Sequence, residues 1–520
     1  MSKWRAFLVA GLDAKMQYIL GIDNGGTVTK AALHAADGRS IAMTSRSVRP
    51  IVQAPGWSER DMEELWEANV SVIREVVEKS QVDPADIAGL VLTGHGNGVY
   101  LVDAEGRPVR NGIISNDSRS HGIVDRWNAD GSYRERCKPL TMQSLFSGGP
   151  LPILAWLAEN EPEVVEKTHY IFMVKDFIRY RLTGAANFER TDASCTDLYD
   201  MVSHELHEDV FAKMNAGNWE GKLPPLIDST GIGGTVLPEV AAATGLLETT
   251  PVVAGVSDIS GAPVGVGGVS DHELSVIAGT WSINSYFSPD PVLDDQQFMT
   301  SMAPLPGRYL ITEASPTSAA NLEWFIQKVL RAIPSFADAS NAELYEFCNE
   351  MAYSEGASNT EITYLPFLFG TSMHPHVPGS FTGITNADGL PQMLYSIYEG
   401  VALSHLEHIE KLRSYTDKLK SRARLTGGVT RSRRWTQLFA DVIGVEIESV
   451  DVEESGILGA VIVGATALGL YPSVADAAEA MVPAPAPTRF KPSADYSASY
   501  SRWRATVEAA DRRVSEGTAE

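Results

Sequence analysis

Several short segments carry residue types suited to phosphate and hydroxyl chemistry. Asp23-Asn24-Gly25-Gly26-Thr27 follows the apolar run Tyr18–Ile22, and Lys30 comes shortly after. A phosphate needs several hydrogen-bond donors close together, and glycines let backbone N–H groups supply them. Asp23 could hold Mg²⁺ directly or through water, while Gly25, Gly26, Thr27 and Lys30 could meet phosphate oxygens. The spacing is not that of a GxxxxGK[ST] loop, and an ordinary hairpin turn accounts for the same residues equally well. Gly279-Thr280 and Gly427-Gly428 each follow a strand-like run and give two further donor sites. The second leads towards a helix, whose N-terminus favours an anion. Three such loops in one acidic chain favour a nucleotide over three unrelated turns.

Asp258 follows the run Pro251–Ser257. Moving a phosphoryl group onto a hydroxyl requires that hydroxyl to be aligned and its proton to have a destination. Asp258 is the candidate base, and a capping aspartate is the alternative. His95, Asn97, Asp117 and Arg119 are candidate sugar contacts, because several hydroxyls need bidentate polar partners. Trp57 and Trp281 could cover a sugar face or simply pack. His374 and His376 are spaced like metal ligands, but Pro375 and Pro378 and the lack of matching carboxylates favour a loop. His405 and His408 fit a helix surface or its packing face.

The elements that must position these residues follow from periodicity. Tyr18–Ile22, Thr29–His34 and Ser40–Val48 read as three strands separated by turn signals. Asp61 is a candidate cap for a helix carrying Leu65, Trp66, Val70, Ile73 and Val77. Ile87–Thr93 and Tyr100–Val102 read as strands, Leu151–Glu159 and Val174–Leu182 as helices, and Thr250–Gly255 as a strand. Beyond a boundary near residue 260 the pattern repeats. Leu274–Ala278, Tyr309–Thr312, Arg424–Thr426 and Val445–Ile447 read as strands, and Pro391–Arg413, Ser432–Ile443 and Ile457–Leu470 as helices. The approximate duplication predicts two related α/β cores with a cleft between them. The Pro/Ala-rich stretch 483–488 reads as a loop.

The chain has 520 residues, of which 44% are hydrophobic and 21% charged, the balance of a globular protein with sizeable cores. There are 42 Lys and Arg against 66 Asp and Glu, a formal charge of −24. That argues against nucleic acid or a membrane surface as partner, though not against a small phosphorylated ligand. Cys137, Cys195 and Cys348 are scattered and form no CxxC, which favours a reducing, cytoplasmic compartment over a disulfide scaffold. Ile457–Leu470 is too short to span a bilayer. The MSKWRAFLVAGL start is not read as an export signal, since Asp13 and Lys15 follow at once. Residues 1–15 read as a disordered extension or as lying upstream of a natural start at Met16.

Taken together, these segments resemble the FGGY carbohydrate kinase family from about Tyr18 to Leu470. The resemblance rests on Gly21–Thr27 with Lys30, Pro55–Asp61, Thr93–Gly98, Ser115–Arg119 and Gly255–Asp258. It continues through Thr426–Val429, Trp435, Gln437, Asp441, Gly444, Glu454, Gly456, Gly459 and Ala460. It implies an α/β fold of two ribonuclease-H-like (actin/hexokinase-like) domains around a hinged interdomain cleft. The expected boundaries are a sugar-binding domain at 16–260, a nucleotide-binding domain at 261–500 and a polar tail at 501–520. It further implies ATP and Mg²⁺, with Asp258 as catalytic base and Asp23 and Asp258 at the metal. His95, Asn97, Asp117, Arg119 and Asp258 would contact substrate. Gly25, Gly26, Thr27, Lys30, Gly279, Thr280, Gly427 and Gly428 would contact the nucleotide. The partner implied is a small sugar or polyol, and a homodimer is compatible with the family.

Within the family, Glu59–Met62, Thr93–Gly98, Glu313–Ser318 and Asn321–Phe325 are similar to L-xylulose kinases. They imply phosphorylation of a pentulose at a terminal hydroxyl. His95-Gly96-Asn97 departs from the Gln-Met-His of D-xylulose kinases and from the Arg-Glu pair of glycerol kinases; erythritol kinases are the nearer alternative. A sugar-binding regulatory protein and an actin-like structural ATPase are the readings from other classes.

Overall fold

The computed structural model describes residues 16–368, 370–374, 376–483 and 489–517. The extension read at 1–15 and most of the loop read at 483–488 lie outside the described residues. The chain divides into two compact units. The first comprises residues 16–267, 301–308 and 454–482, and the second 268–300, 309–453 and the segment after 482.

The sheet of the first unit contains β1 (Tyr18–Asn24), β2 (Val28–Ala35), β3 (Ser40–Ser47), β4 (Ile87–Gly94), β5 (Ile232–Thr235) and β6 (Pro251–Val253), in the order β5-β6-β4-β1-β2-β3. β1, β2 and β3 form an antiparallel meander, and β4 and β6 continue from β1 in parallel. β1 and β4 are buried along most of their length, as expected for central strands covered on both faces. Helix α1 (Met62–Ser80) follows β3. Asp61 caps it, accepting hydrogen bonds from the Glu63 and Glu64 amides, and Leu65, Val72, Ile73 and Val76 turn inward. Helix α2 (Val174–Thr183) ends at Gly184. Helix α3 (Asp258–Gly265) begins at the residue singled out as a base.

The second unit repeats the plan. Its sheet holds β7 (Leu274–Ala278), β8 (Ser282–Ser288), β9 (Met299–Met302), β10 (Tyr309–Ser315), β11 (Arg422–Thr426), β12 (Glu446–Ser449) and β13 (Arg489–Phe490). The order is β9-β10-β8-β7-β11-β12-β13. Again an antiparallel meander (β7, β8, β10) leads through its first strand to two parallel strands, β11 and β12. Helix α4 (Leu390–Tyr415) is buried through most of its middle, and helix α5 (Arg433–Ile443) is capped by Ser432.

Two features depart from the expected boundaries. Helix α6 (Ser455–Ala467) belongs to the first unit, although it comes from the late part of the chain. It lies close against β1: a side-chain carbon on Gly21 would meet Ile457 Cγ2 at 2.7 Å. It also meets α3 backbone to backbone, because a carbon on Gly459 would sit 1.9 Å from the Gly261 carbonyl oxygen. The second departure is that residues after 500 are not a polar tail. Helix α7 (Ser497–Gly517) buries Trp503 completely, and the indole Nε1 donates to the Tyr364 carbonyl at 3.1 Å. Tyr496, Tyr500, Trp503 and Val507 make a helical stripe that the polar composition conceals.

All three cysteines are free and buried. No described helix is long and apolar enough to cross a membrane.

Candidate active site

In the first unit, three strand exits converge. β1 ends in the loop Asn24–Val28, where the Gly25 amide donates to the Val28 carbonyl at 3.1 Å. Arg60 is fully buried behind that loop and donates Nη1 to the Gly25 carbonyl at 3.1 Å and Nη2 to the Gly26 carbonyl. Asn24 Oδ1 accepts from Asn69 Nδ2 at 2.8 Å and Thr29 Oγ1 at 3.2 Å. The loop is therefore pinned from the inside, with Gly26 and Thr27 at its exposed tip. Lys30 Nζ pairs with Glu454 Oε1 at 2.5 Å, so it is already engaged by the residue that precedes α6. Burial lifts Asp23 to about 6; Lys30 pulls against the shift and Glu454 adds to it.

β4 runs into His95-Gly96-Asn97, with the His95 amide donating to the Asn24 carbonyl at 3.0 Å. That bond ties the second loop to the first. His95 Nε2 lies 3.1 Å from the Tyr100 hydroxyl, and burial with help from Arg60 lowers the imidazole to about 4. His95 is thus a neutral hydrogen-bonding group. Asn97 sits in the left-handed region at φ 62, and its buried Oδ1 has no hydrogen-bond partner.

β6 exits through Gly255 into Ser257 and Asp258. Gly255 has φ +87, and a side-chain carbon there would lie 1.9 Å from the Leu92 carbonyl oxygen, so only glycine fits. The backbone amides of Ile259 and Gly96 lie near the Asp258 carboxyl and favour its ionised form. Burial, reinforced by the charges of Asp23 and Asp192, raises it to about 8. A base poised near neutral pH is suited to proton removal from an alcohol as the phosphoryl group arrives.

A buried charge network that the sequence reading did not single out supports this exit. Lys175 Nζ on α2 lies 2.9 Å from Asp176, 3.2 Å from Glu189 and 3.0 Å from Asp192, and all four side chains are inaccessible. Arg179 pairs with Asp176 at 2.5 Å and donates to the Ala254 carbonyl at 3.0 Å. Thr191 Oγ1 accepts from the Ser257 amide at 2.9 Å. The chain on both sides of Gly255 is thereby held. The available signal was the charged set Lys175, Asp176 and Arg179 at helical spacing among Val174, Phe177, Ile178 and Leu182.

Asp117 and Arg119 are engaged mainly with the fold. Asp117 accepts from the Ser58 amide and from Arg119 N, Nε and Nη2 at 2.6 to 2.9 Å. Arg119 also pairs with Glu59 at 2.9 Å, and its guanidinium lies 4.2 Å from the Trp57 ring centroid. Only its Nη1 lacks a hydrogen-bond partner. Trp57 meets Trp156 edge to face and so is a packing residue, whereas Trp281 is exposed.

In the second unit, the turn after β7 and the exit of β11 lie side by side. Gly427 has φ +103, and a carbon on it would be 2.4 Å from the Ala278 carbonyl and 3.0 Å from the Gly279 amide nitrogen. Space beside Gly279 and Gly428 is open, and Thr280 is exposed. A short 3₁₀ turn, Gly428–Arg431, separates the glycines from α5. His405 and His408 belong to the buried face of α4: His405 Nε2 lies 2.8 Å from Ser318 Oγ and His408 Nε2 2.9 Å from Ser315 Oγ. Burial lowers both to about 3. His374 sits outside helix and strand and pairs with Glu407 at 3.0 Å and Asp511 at 3.3 Å. Among the described residues no group of three or more His, Cys, Asp or Glu is arranged to hold a metal ion. Asp23 and Asp258 are near enough for the charge of the first to raise the second, and a pair of carboxylates could serve Mg²⁺, which takes one or two and completes its shell with phosphate and water.

Residues 18–265 match the N-terminal domain of the FGGY family of carbohydrate kinases, and residues 274–468 match its C-terminal domain. The chain belongs to the FGGY family of carbohydrate kinases. A probable L-xylulose kinase of Pasteurella multocida is 34% identical over 94% of this chain and 98% of its own. An L-xylulose/3-keto-L-gulonate kinase of Escherichia coli is 33% identical over 89% and 90%. The crystal structure of a xylulose kinase from Rhodospirillum rubrum has the same fold, with a TM-score of 0.84 at 22% identity over 97% of this chain and all of that one. The FGGY assignment makes the chain an ATP-dependent sugar or polyol kinase.

Proposed function

We propose that this FGGY kinase transfers the γ-phosphate of ATP to the terminal hydroxyl of a pentulose, with L-xylulose as the acceptor. The observation that carries the chemistry is the Asp258 carboxyl at a strand exit, near Asp23 and the Gly96 and Ile259 amides and raised to about 8. Asp258 orients the attacking hydroxyl and takes its proton. His95 stays neutral and, with Asn97, offers hydrogen bonds to the acceptor. Arg119 has one free donor, and Asp117 acts through Arg119. Asp23 and Asp258 would hold Mg²⁺, which when bound neutralises phosphate charge. Their mutual repulsion is what a divalent cation relieves. Gly25, Gly26 and Thr27, whose carbonyls on Gly25 and Gly26 are held back by Arg60, are assigned to phosphate. Gly279, Thr280, Gly427 and Gly428 are assigned to the nucleotide, and Lys30 acts through Glu454.

The order of each sheet supports a ribonuclease-H-like reading of both units. The choice of L-xylulose rests on the relatives named for it. Mg·ATP-dependent ADP release should be measured across L-xylulose, D-xylulose, L- and D-ribulose, erythritol, threitol and glycerol, with a no-acceptor control. Selectivity for L-xylulose supports the assignment. Preference for erythritol keeps the kinase and changes the acceptor. ATP binding without acceptor-dependent turnover overturns the proposal.

A further inference from the structure

One side of the Gly96 loop opens onto a carboxylate with unused bonding capacity. A side-chain carbon placed on Gly96 would have a single heavy atom within 4 Å, Asp192 Oδ1 at 3.5 Å. Gly96 is not among the glycines with positive φ, so its backbone does not demand glycine. What the glycine provides there is room.

Asp192 is fully buried; Lys175 Nζ lies 3.0 Å from its Oδ2, and its Oδ1 has no hydrogen-bond partner. That ammonium is shared with Asp176 and Glu189 and does not serve Oδ1. The neighbouring carboxylates differ. Glu189 accepts from Thr191 N and Oγ1, Asp192 N and Ser229 Oγ. Asp176 accepts from Lys175, Arg179 and the Glu189 amide. Asp192 alone in this cluster keeps open acceptor sites, and buried carboxylate oxygens left unpaired are costly. The Gly96 amide lies near enough to the Asp258 carboxyl to favour its ionised form, so the open space lies beside the residue assigned to the reacting hydroxyl.

We propose that Asp192 and the open side of Gly96 form a specificity-determining subsite of the acceptor pocket, in which a non-reacting hydroxyl of the substrate passes over Gly96 and donates to Asp192. This rests on the sugar kinase reading above. The chemistry selects the group that enters. It must be a hydrogen-bond donor, so a hydroxyl fits and a carboxylate, an acceptor of like charge, does not. A methyl at position 96 would occupy the same space.

The test is steady-state kinetics of the full chain with Mg·ATP, using the best acceptor of the panel and its monodeoxy analogues. Wild type is compared with Asp192→Asn, Asp192→Ala and Gly96→Ala. One deoxy analogue should lower wild-type kcat/KM at least about tenfold, because its loss leaves Asp192 unpaired. In Asp192→Ala the same analogue should cost less than about threefold, with Asp192→Asn between. Gly96→Ala should raise the acceptor KM about tenfold or more and leave the ATP KM unchanged, a split that a folding defect would not produce. If Asp192→Ala does not fold, the Asn variant and Gly96→Ala still decide. Equal discrimination by wild type and the Asp192 variants, with an unaltered acceptor KM in Gly96→Ala, would overturn the subsite and leave water as the donor to Asp192. Absence of any wild-type turnover is a different failure: it removes the kinase reading and this inference with it.

Discussion

Replacing Asp258 by Asn should abolish turnover and at the same time stabilise the ligand-free fold, by an amount that grows with pH. The Asp258 carboxyl is raised from 3.8 to about 8, first by burial and then by the charges of Asp23 and Asp192. Between those two values the native state holds the proton and the unfolded chain has lost it. The native state therefore binds more protons than the unfolded one, so stability falls as pH rises through this window. A group fully protonated when folded and fully ionised when unfolded costs about 1.4 kcal/mol per pH unit. From about pH 5.5 to about pH 7.5 the ceiling is about 3 kcal/mol. Asp258 is only partly closed to solvent and shares its load with two other carboxylates, so about 1–2 kcal/mol is expected. The amide cannot ionise and loses that slope. Urea unfolding of wild type and D258N, ligand-free and with chelator, at both pH values gives the comparison directly. Parallel pH dependence in the two proteins would refute the reasoning, because it would mean that Asp258 ionises in the folded chain as it does in the unfolded one.

Lys175→Met should cost about 3–5 kcal/mol of stability at neutral pH, since three buried carboxylates lose their shared cation. The loss should shrink towards pH 5.5, where Asp192, pushed up to about 7 by burial, holds its proton, and urea unfolding at two pH values would show it. Gly459→Ala should destabilise by about 1–3 kcal/mol or more, because the new methyl meets the Gly261 carbonyl oxygen and backbone cannot step aside; thermal unfolding reads this. Trp503→Ala should cost about 3–5 kcal/mol in the same assay, and near-neutral behaviour would show that α7 contributes little to the second core.

The local signals in the sequence were strong where one element's own residues suffice. Tyr100–Val102 and Leu274–Ala278 have the bounds read from sequence, and Asp61 caps α1 as its position before the apolar stripe predicts. The strand exits that carry Asp23, Asp258 and the glycine loops were legible because such exits bear recognisable turn chemistry. The duplicated plan was legible too, since each half repeats an early strand with a Gly/Thr exit and a late strand with a glycine exit. What remained hidden depended on partners distant in sequence. α6 joins the first unit because Gly21, Gly261 and Gly459 let backbones approach, and no local pattern announces a glycine-to-glycine contact across such a separation. Asp117 and Arg119 look like free ligand-binding groups until Ser58, Glu59 and Trp57 are brought against them. Lys175 and Asp192 look like surface charges until the fold withdraws both from water. Residue type and short-range order thus determined the elements and the chemistry available at their ends. Only the tertiary structure decided which polar atoms are already satisfied and which, like Asp192 Oδ1, still lack a hydrogen-bond partner, because hydrogen-bond satisfaction belongs to the assembled neighbourhood and not to any one segment.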